Sequence, residues 1–394
     1  ELVLMIVNYL SMYEFKRFMV ANKSLYQMLT PLLWKHVTLD FRPKKDLLLR
    51  NRQYIQTLSI ERCHDYIFSI LALPQQPMEP DDRIHSITPL TADIMKPPIA
   101  AMNNLQKLVI SGYYRPMFPD FITALSHIPR LVRLHLPVRL LSSDISKRSD
   151  NDFIDLLSQG LPQLRELSTK GTFIETTAVV LLLLAGLKIP ELEVLKCDSA
   201  FYHLDNIDEF ILSLPDVKMK LESDGVVGLG SKIKTMMLPR SIYKANILLR
   251  FLKDYCPNVE RFYLPDIEFE STSQKKDIFT GAWCPYLQHI IYDANTRHDL
   301  DTICSFLSGC SQRIGLKTFL VDCRSDISDI DKMISTLLSC HSETLEDITI
   351  KYHMELDGEA INGILTTCRS LKRLRVVPSY HSNSIRFKTL VPGE

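Results

Sequence analysis

The chain has 394 residues with 46 basic and 46 acidic side chains, so its formal net charge is zero. Proteins that bind nucleic acid through its phosphates normally carry a surplus of positive charge, so this balance argues against nucleic-acid partners. The longest apolar run, AVVLLLLAGL at 178–187, has 10 residues. A membrane-spanning helix needs about 20, so the run predicts a buried helix and no membrane partner.

The chain opens with short amphipathic segments. In residues 1–39 apolar side chains recur at the three- and four-residue spacing of helices. Glu1-Leu2, Ile6 and Leu10 lie in a first segment, Glu14-Phe15 begins a second, Ala21-Asn22-Lys23-Ser24-Leu25 follows, and Leu33-Trp34 closes the stretch. This order resembles the F-box, a small helical module that binds the adaptor Skp1. The departures are Ala21 where the family has Val and Leu25 where it has a larger aromatic residue.

The resemblance divides the chain into an all-α F-box-like module at 1–40 and a second domain at 41–394. It implies adaptor contacts by six residues: Leu2, Ile6, Leu10, Phe15, Leu25 and Trp34. The alternative is that 1–39 forms only an amphipathic helical cap on the domain that follows.

The second domain repeats itself. After an inserted Pro-rich loop at 74–98, the pattern L-x-x-L-x-L recurs with substitutions, as in NLQKLVI (104–110), RLVRLHL (130–136) and CPNVERFYL (256–264). Residue Thr169 of QLRELST (163–169) stands where an apolar residue is expected. From Cys256 onward the pattern follows a cysteine. These repeat cysteines lie 28, 26, 30 and 28 residues apart, at positions 256, 284, 310, 340 and 368. A fixed period of this size indicates a repeat array.

Helical patterns separate the repeated cores. Stretches such as FITALSHIP, LDTICSFLSGC, IDKMISTLLSC and AINGILTTC carry one apolar stripe and end near Pro, Gly or Cys. Each unit is therefore predicted to be a strand followed by a helix. This predicts an α/β leucine-rich-repeat solenoid of about 11–13 irregular repeats, a horseshoe with a parallel sheet on its concave face and helices outside. The sequence resembles the cysteine-containing class of such repeats.

The repeated cysteines are interpreted as buried spacers. Stacked repeats place them one repeat apart in a row, whereas zinc needs ligands that converge on one point. Cys256, Cys284 and Cys368 are therefore expected to be buried, unpaired and free of metal. Nine cysteines, an odd number, also favour a reducing compartment, and no signal peptide is visible, so a cytoplasmic or nuclear location is expected.

The concave face is the predicted binding surface. In L-x-x-L-x-L the residue before the last Leu points away from the core. At this position four successive repeats carry Met237, Tyr263, Ile291 and Leu320, with Arg261 and His289 beside them. These six residues are the candidate target-binding site. The alternatives are that apolar residues merely suit a sheet, or that the tail from Pro378 covers them.

Catalytic signatures are absent from the sequence. It contains neither a G-x-S-x-G nucleophile elbow nor an H-E-x-x-H zinc motif, and no cofactor is expected. The resemblance implies a non-catalytic substrate receptor of a Skp1–cullin–F-box ubiquitin ligase, with a Skp1-type adaptor, a cullin and an unknown protein target as partners. The alternative is a repeat scaffold that acts outside a ubiquitin ligase.

Overall fold

The computed structural model describes the repeated cores and most of the helices that flank the C-terminal repeats. The described residues are 17, 23–39, 48, 50–60, 102–111, 118–137, 157–174, 186–201, 219, 232–238, 242–243, 255–264, 267–268, 285–294, 300–309, 314–323, 330–352, 358–378 and 389–390. The chain divides into two compact units, Glu1–Leu136 and Pro137–Glu394.

In the first unit a helix is followed by parallel strands. The elements are α1 Lys23–Leu33, β1 His36–Leu39, a 3-10 turn at Arg52–Tyr54, β2 Thr57–Ile60, β3 Lys107–Ile110, α2 Phe118–Ser126 and β4 Arg133–Pro137. Strands β1, β2, β3 and β4 are hydrogen-bonded in that order and all run parallel. Strand β1, the first described strand of this sheet, thus begins at His36, within the stretch 1–40.

The second unit continues the same plan. Its strands are β5 Glu166–Ile174, β6 Val194–Phe201, β7 Thr235–Met237, β8 Ile242–Tyr243, β9 Arg261–Leu264, β10 Ile267–Glu268, β11 His289–Ala294, β12 Thr318–Cys323, β13 Asp347–Tyr352, β14 Arg373–Pro378 and β15 Thr389–Leu390. Its described helices are α3 Leu300–Gly309, α4 Ile330–His341 and α5 Gly358–Thr367. The parallel order is β5-β6-β7-β9-β11-β12-β13-β14. Strand β15 adds an antiparallel edge to β14, and β8 pairs with β10 separately.

The core follows from the repeat pattern. In RLVRLHL, Leu131, Leu134 and Leu136 are all buried, and in the repeat at 345–350 the same holds for Leu345, Ile348 and Ile350. Side chains of a strand alternate between its two faces, so within each unit the apolar positions of the described repeats are buried on one side of the sheet. At about 25 cal/mol per Å² of apolar surface, this burial is the main favourable contribution to folding. The fold is the predicted leucine-rich-repeat solenoid, with a strand and a helix alternating from β11 to β14.

One main-chain hydrogen-bond arrangement joins most consecutive repeats in the described part of the chain. The carbonyl just before a strand accepts two N–H groups of the following repeat. Gln56 O, for example, accepts from Gln106 N at 2.8 Å and Lys107 N at 3.0 Å. The same arrangement recurs where Gln288 O accepts from Lys317 N at 2.8 Å and Thr318 N at 3.0 Å. Because only main-chain atoms take part, these hydrogen bonds form whatever side chain the position carries.

Two repeats depart from the pattern in their polar residues. Thr169 is fully buried, and its hydroxyl donates to Cys197 Sγ at 3.4 Å, so this polar residue occupies a core position with a partner. Cys256 and Cys368 are buried as predicted, while Cys284 lies outside the described residues. Cys340 is exposed instead, and the next residue, His341, takes the buried position at the end of α4.

His341, at the end of α4, is hydrogen-bonded to α3 and to the segment before β12. Its Nδ1 accepts the Leu316 N–H at 3.4 Å, so its Nε2 donates to the Leu307 carbonyl at 2.9 Å. Thr344 adds a hydrogen bond to the Leu316 carbonyl at 2.8 Å. Burial lowers the pKa of His341, which keeps the ring neutral as this arrangement requires. In this repeat a histidine thus occupies the buried position that a cysteine holds in the repeats of Cys256 and Cys368.

Candidate functional site

The open face of the sheet is the face whose side chains point away from the core. Along each strand these side chains alternate with the buried ones. Met237 is aligned with Tyr263, Tyr263 with Ile291, and Ile291 with Leu320 on neighbouring parallel strands. All four side chains are half-buried. We call these four residues the apolar strip. Adjacent parallel strands lie about 4.8 Å apart, so the strip forms one continuous apolar surface across β7, β9, β11 and β12.

A polar row lies two residues earlier on the same strands. It consists of Thr235, Arg261, His289, Thr318, Asp347 and Arg373, each aligned with the next. Arg261 is exposed and His289 is half-buried. At the far end Asp347 Oδ2 pairs with Arg373, while Asp347 Oδ1 is buried with no hydrogen-bond partner. On the four strands of the apolar strip, the polar row thus gives a polar border in which Arg261 is the exposed charged residue.

A second line of polar residues, the charged ladder, precedes the polar row by one residue. It consists of Arg165, Glu193, Lys234, Glu260, Gln288, Lys317, Glu346 and Lys372. The sign alternates along most of this line, and opposite charges meet across neighbouring strands. Lys234 lies 3.2 Å from Glu260, and Lys372 lies 2.6 Å from Glu346. The Lys372 ammonium lowers the pKa of Glu346 through their hydrogen bond and charge attraction.

His289 lies between these charges. Its pKa is lowered first by burial and then by the positive charges of Arg261 and Lys317, while Glu260 and Glu346 act in the opposite direction. The imidazole is therefore neutral at physiological pH. It offers a hydrogen bond to a ligand without adding to the charge of the surface.

The predicted adaptor residues fall into two groups. Leu2, Ile6, Leu10 and Phe15 lie outside the described residues. Leu25, on α1, and Trp34, immediately after it, are both half-buried. Helix α1 also exposes Tyr26, Met28 and Leu32, with 49%, 47% and 40% of their surface accessible. Leu25, Met28 and Leu32 follow an i, i+3, i+7 spacing, so they share one apolar face of the helix.

Three further properties of the described residues concern metal ligands, a buried thiol and helix length. Among the described residues no cluster of three or more His, Cys, Asp or Glu side chains is arranged to hold a metal ion. Burial raises the pKa of the Cys256 thiol to about 12, so it stays protonated and unreactive at neutral pH. Within the same described part, no helix combines the length and the hydrophobicity needed to cross a membrane.

Two features of the surface were not predicted from the sequence. The charged ladder could have been found, because its members occupy the first x of each L-x-x-L-x-L and their signs alternate. His341 could not, since Cys340 beside it fits the cysteine pattern and only the helix geometry decides which of the two is buried.

The described strands and the helices between them give the chain a leucine-rich-repeat fold. No family model and no curated protein sequence matches the chain. Among solved structures it is similar to the leucine-rich repeat-containing protein LegL7 from Legionella pneumophila, at 12% sequence identity and a TM-score of 0.43. That match covers 85% of this chain and 97% of the other.

Proposed function

We propose that the chain is the non-catalytic substrate-recognition subunit of a Skp1–cullin–F-box ubiquitin ligase. The N-terminal helices bind a Skp1-type adaptor and, through it, a cullin, while the open face of the repeat sheet binds a protein target. The chain performs no chemistry itself. It raises the rate of ubiquitin transfer by holding the target close to the catalytic subunits, in the cytoplasm or the nucleus.

The observation that carries the adaptor half of this proposal is the exposed apolar face of α1. A surface helix normally turns its apolar face to the core, yet Met28 and Leu32 remain 47% and 40% accessible. Contiguous exposed apolar side chains commonly mark protein-interaction sites. Together with the order of the segments, an F-box-like stretch directly followed by leucine-rich repeats, this face supports docking of an adaptor.

Charges placed on this face test the adaptor half. Met28→Asp with Leu32→Asp would bury two carboxylates in an apolar contact, at a cost of several kcal/mol. We expect Skp1 co-purification to fall at least about 100-fold, which corresponds to roughly 2.7 kcal/mol. Both side chains are exposed in the free chain, so the repeats should remain folded.

Leu365→Asp provides the matched control. Leu365 is an exposed leucine on α5, 37% accessible, and its replacement should leave Skp1 binding unchanged. Ile6→Asp with Leu10→Asp should abolish binding in the same way as the α1 variant. Skp1 binding that survives both double substitutions would contradict the F-box assignment.

Two further measurements separate the proposal from its alternative. Capture of a cullin together with Skp1 is expected of a ligase subunit, whereas Skp1 without a cullin would favour a scaffold acting outside a ligase. Tyr263→Ala with Ile291→Ser should weaken target capture while leaving Skp1 binding intact, because a large aromatic residue at the centre of an interface often contributes about 2 kcal/mol or more. Equal retention of target and Skp1 would move the target site away from the apolar strip.

A further inference from the structure

Most cations that border the open face of the second unit are neutralised across neighbouring strands. The pairs on the charged ladder and the polar row are Arg165–Glu193, Lys234–Glu260, Glu346–Lys372 and Asp347–Arg373. Lys196 and Glu166 form a further pair at 3.3 Å, as do Lys351 and Asp322 at 3.4 Å. Exposed pairs of this kind contribute little to stability, but they leave little net charge where they occur.

The pairing stops around β9, β11 and β12. The side chains of Arg261 and Lys317 take part in no hydrogen bond or ion pair within the described part of the chain. The cause is visible in the sequence of the repeat between them. On β11 the residues beside Arg261 and Lys317 are His289 and Gln288, both uncharged, so neither cation meets an acid on that strand. Two positive charges therefore lie without a salt-bridge partner around one half-buried histidine.

This surplus lies directly beside the apolar strip. Arg261 precedes Tyr263 by two residues, and His289 precedes Ile291 by two, so each polar residue is about 6.6 Å from its apolar neighbour along the strand. Arg261 can hold a carboxylate with two parallel hydrogen bonds, and Lys317 and neutral His289 add further donors. The apolar strip and the cations beside it therefore match a ligand that has one apolar side and one anionic side.

We propose that this part of the open face binds an acidic, apolar protein segment. A carboxylate of an Asp or Glu side chain is held by Arg261, Lys317 and His289, and apolar side chains next to it in the segment lie on Tyr263 and Ile291. The inference deepens the proposed function, on which it rests, by assigning a chemical class to the target.

Selection from a random library of synthetic 12-residue peptides tests the assignment, with the full chain in complex with Skp1 as bait. Peptides in which Asp or Glu accompanies apolar residues should be enriched. In the best peptide, Glu→Gln should weaken binding about 10- to 100-fold, since hydrogen bonds to charged groups contribute about 1.5–3 kcal/mol. The same peptide change should matter less than about 3-fold to a bait carrying Arg261→Gln and Lys317→Gln.

Arg375→Gln is the matched control, because it removes one exposed cation from the same sheet outside the site. It should leave the peptide affinity within about 2-fold, as expected for a remote charge in physiological salt. The proposal is overturned if the library shows no acidic enrichment or returns no binding peptide, if Arg375→Gln acts like Arg261→Gln, or if binding requires phosphoserine in place of glutamate. Skp1 binding by each variant is measured in parallel. Its loss would count against the proposed function, whereas unaltered Skp1 binding with unselective peptides would count only against the acidic site.

Discussion

His341 offers the sharpest test of how the repeats are held together. Replacing it with Leu keeps an apolar side chain at the position but removes both hydrogen bonds of the ring. The Leu316 N–H and the Leu307 carbonyl would then lose the hydrogen bonds that the histidine ring provides in the core. The side chains of Leu307 and Leu316 are fully buried, so water gives little compensation.

The expected cost follows from the two distances. The 2.9 Å bond to the Leu307 carbonyl is of ordinary length, and losing it should cost about 1–3 kcal/mol; the 3.4 Å bond to the Leu316 N–H is weaker and should add about 1 kcal/mol. His341→Leu should therefore cost about 2–4 kcal/mol. Hydrogen exchange across 314–323 and 330–341 should accelerate about 30- to 1,000-fold.

Two conservative substitutions of His341, and the pH dependence of stability, provide further tests of its two hydrogen bonds. His341→Asn can still accept from the Leu316 N–H and His341→Gln can still donate to the Leu307 carbonyl, so each should recover part of the loss. Because burial lowers the pKa of His341 below its unfolded value of 6.5, its contribution to stability is fully present above pH 6.5 and is lost as pH falls below it, by at most about 1.4 kcal/mol per unit. His341→Leu should lack this dependence. Exchange in His341→Leu as slow as in the parent, or an unchanged pH dependence, would refute the reasoning.

Two other predictions concern a turn and the thiols. Gly315 has φ of +75°, and a methyl group there would overlap the Thr344 side chain, so Gly315→Ala should destabilise the second unit by about 2–4 kcal/mol in urea unfolding. Gly358→Ala, with open space around it and no positive φ, should change stability by less than about 1 kcal/mol; equal effects of the two would exclude the steric cause. In the native chain Cys340 should react with iodoacetamide at pH 8 while Cys256 reacts only after unfolding, as peptide mass spectrometry can show; early labelling of Cys256 would contradict its burial.

The strands and their alignment follow from the sequence because a repeated L-x-x-L-x-L pattern allows one parallel stacking. The positions of Tyr263 and Ile291 on one line were predicted for this reason, and the register confirms them. The helices that become α2, α3, α4 and α5 were also correctly located by their apolar spacing. The role of Tyr263 and Ile291 in binding a target remains a prediction.

Contacts between repeats were harder to foresee. Whether Cys340 or His341 enters the core depends on the rotation of the last helical turn, and the spacing of apolar residues does not specify that rotation. Arg261 and Lys317 lie 56 positions apart in the chain, at the start of β9 and just before β12. Only this placement, with the uncharged Gln288 and His289 between them, shows that their side chains lack salt-bridge partners. Local patterns do not contain that information.

The carbonyl that accepts two N–H groups from the next repeat has an evolutionary consequence. Strands β2 and β3 begin 50 residues apart in the chain and β3 and β4 begin 26 apart, yet Gln56 and Gln106 make the same pair of bonds to the repeat that follows. The junction between repeats is thus indifferent to the length and the composition of what connects them. A gene encoding such an array can gain or lose a whole repeat, or accept a long insertion, and every new junction is bonded like the old ones, so its sequence can diverge far while the fold persists.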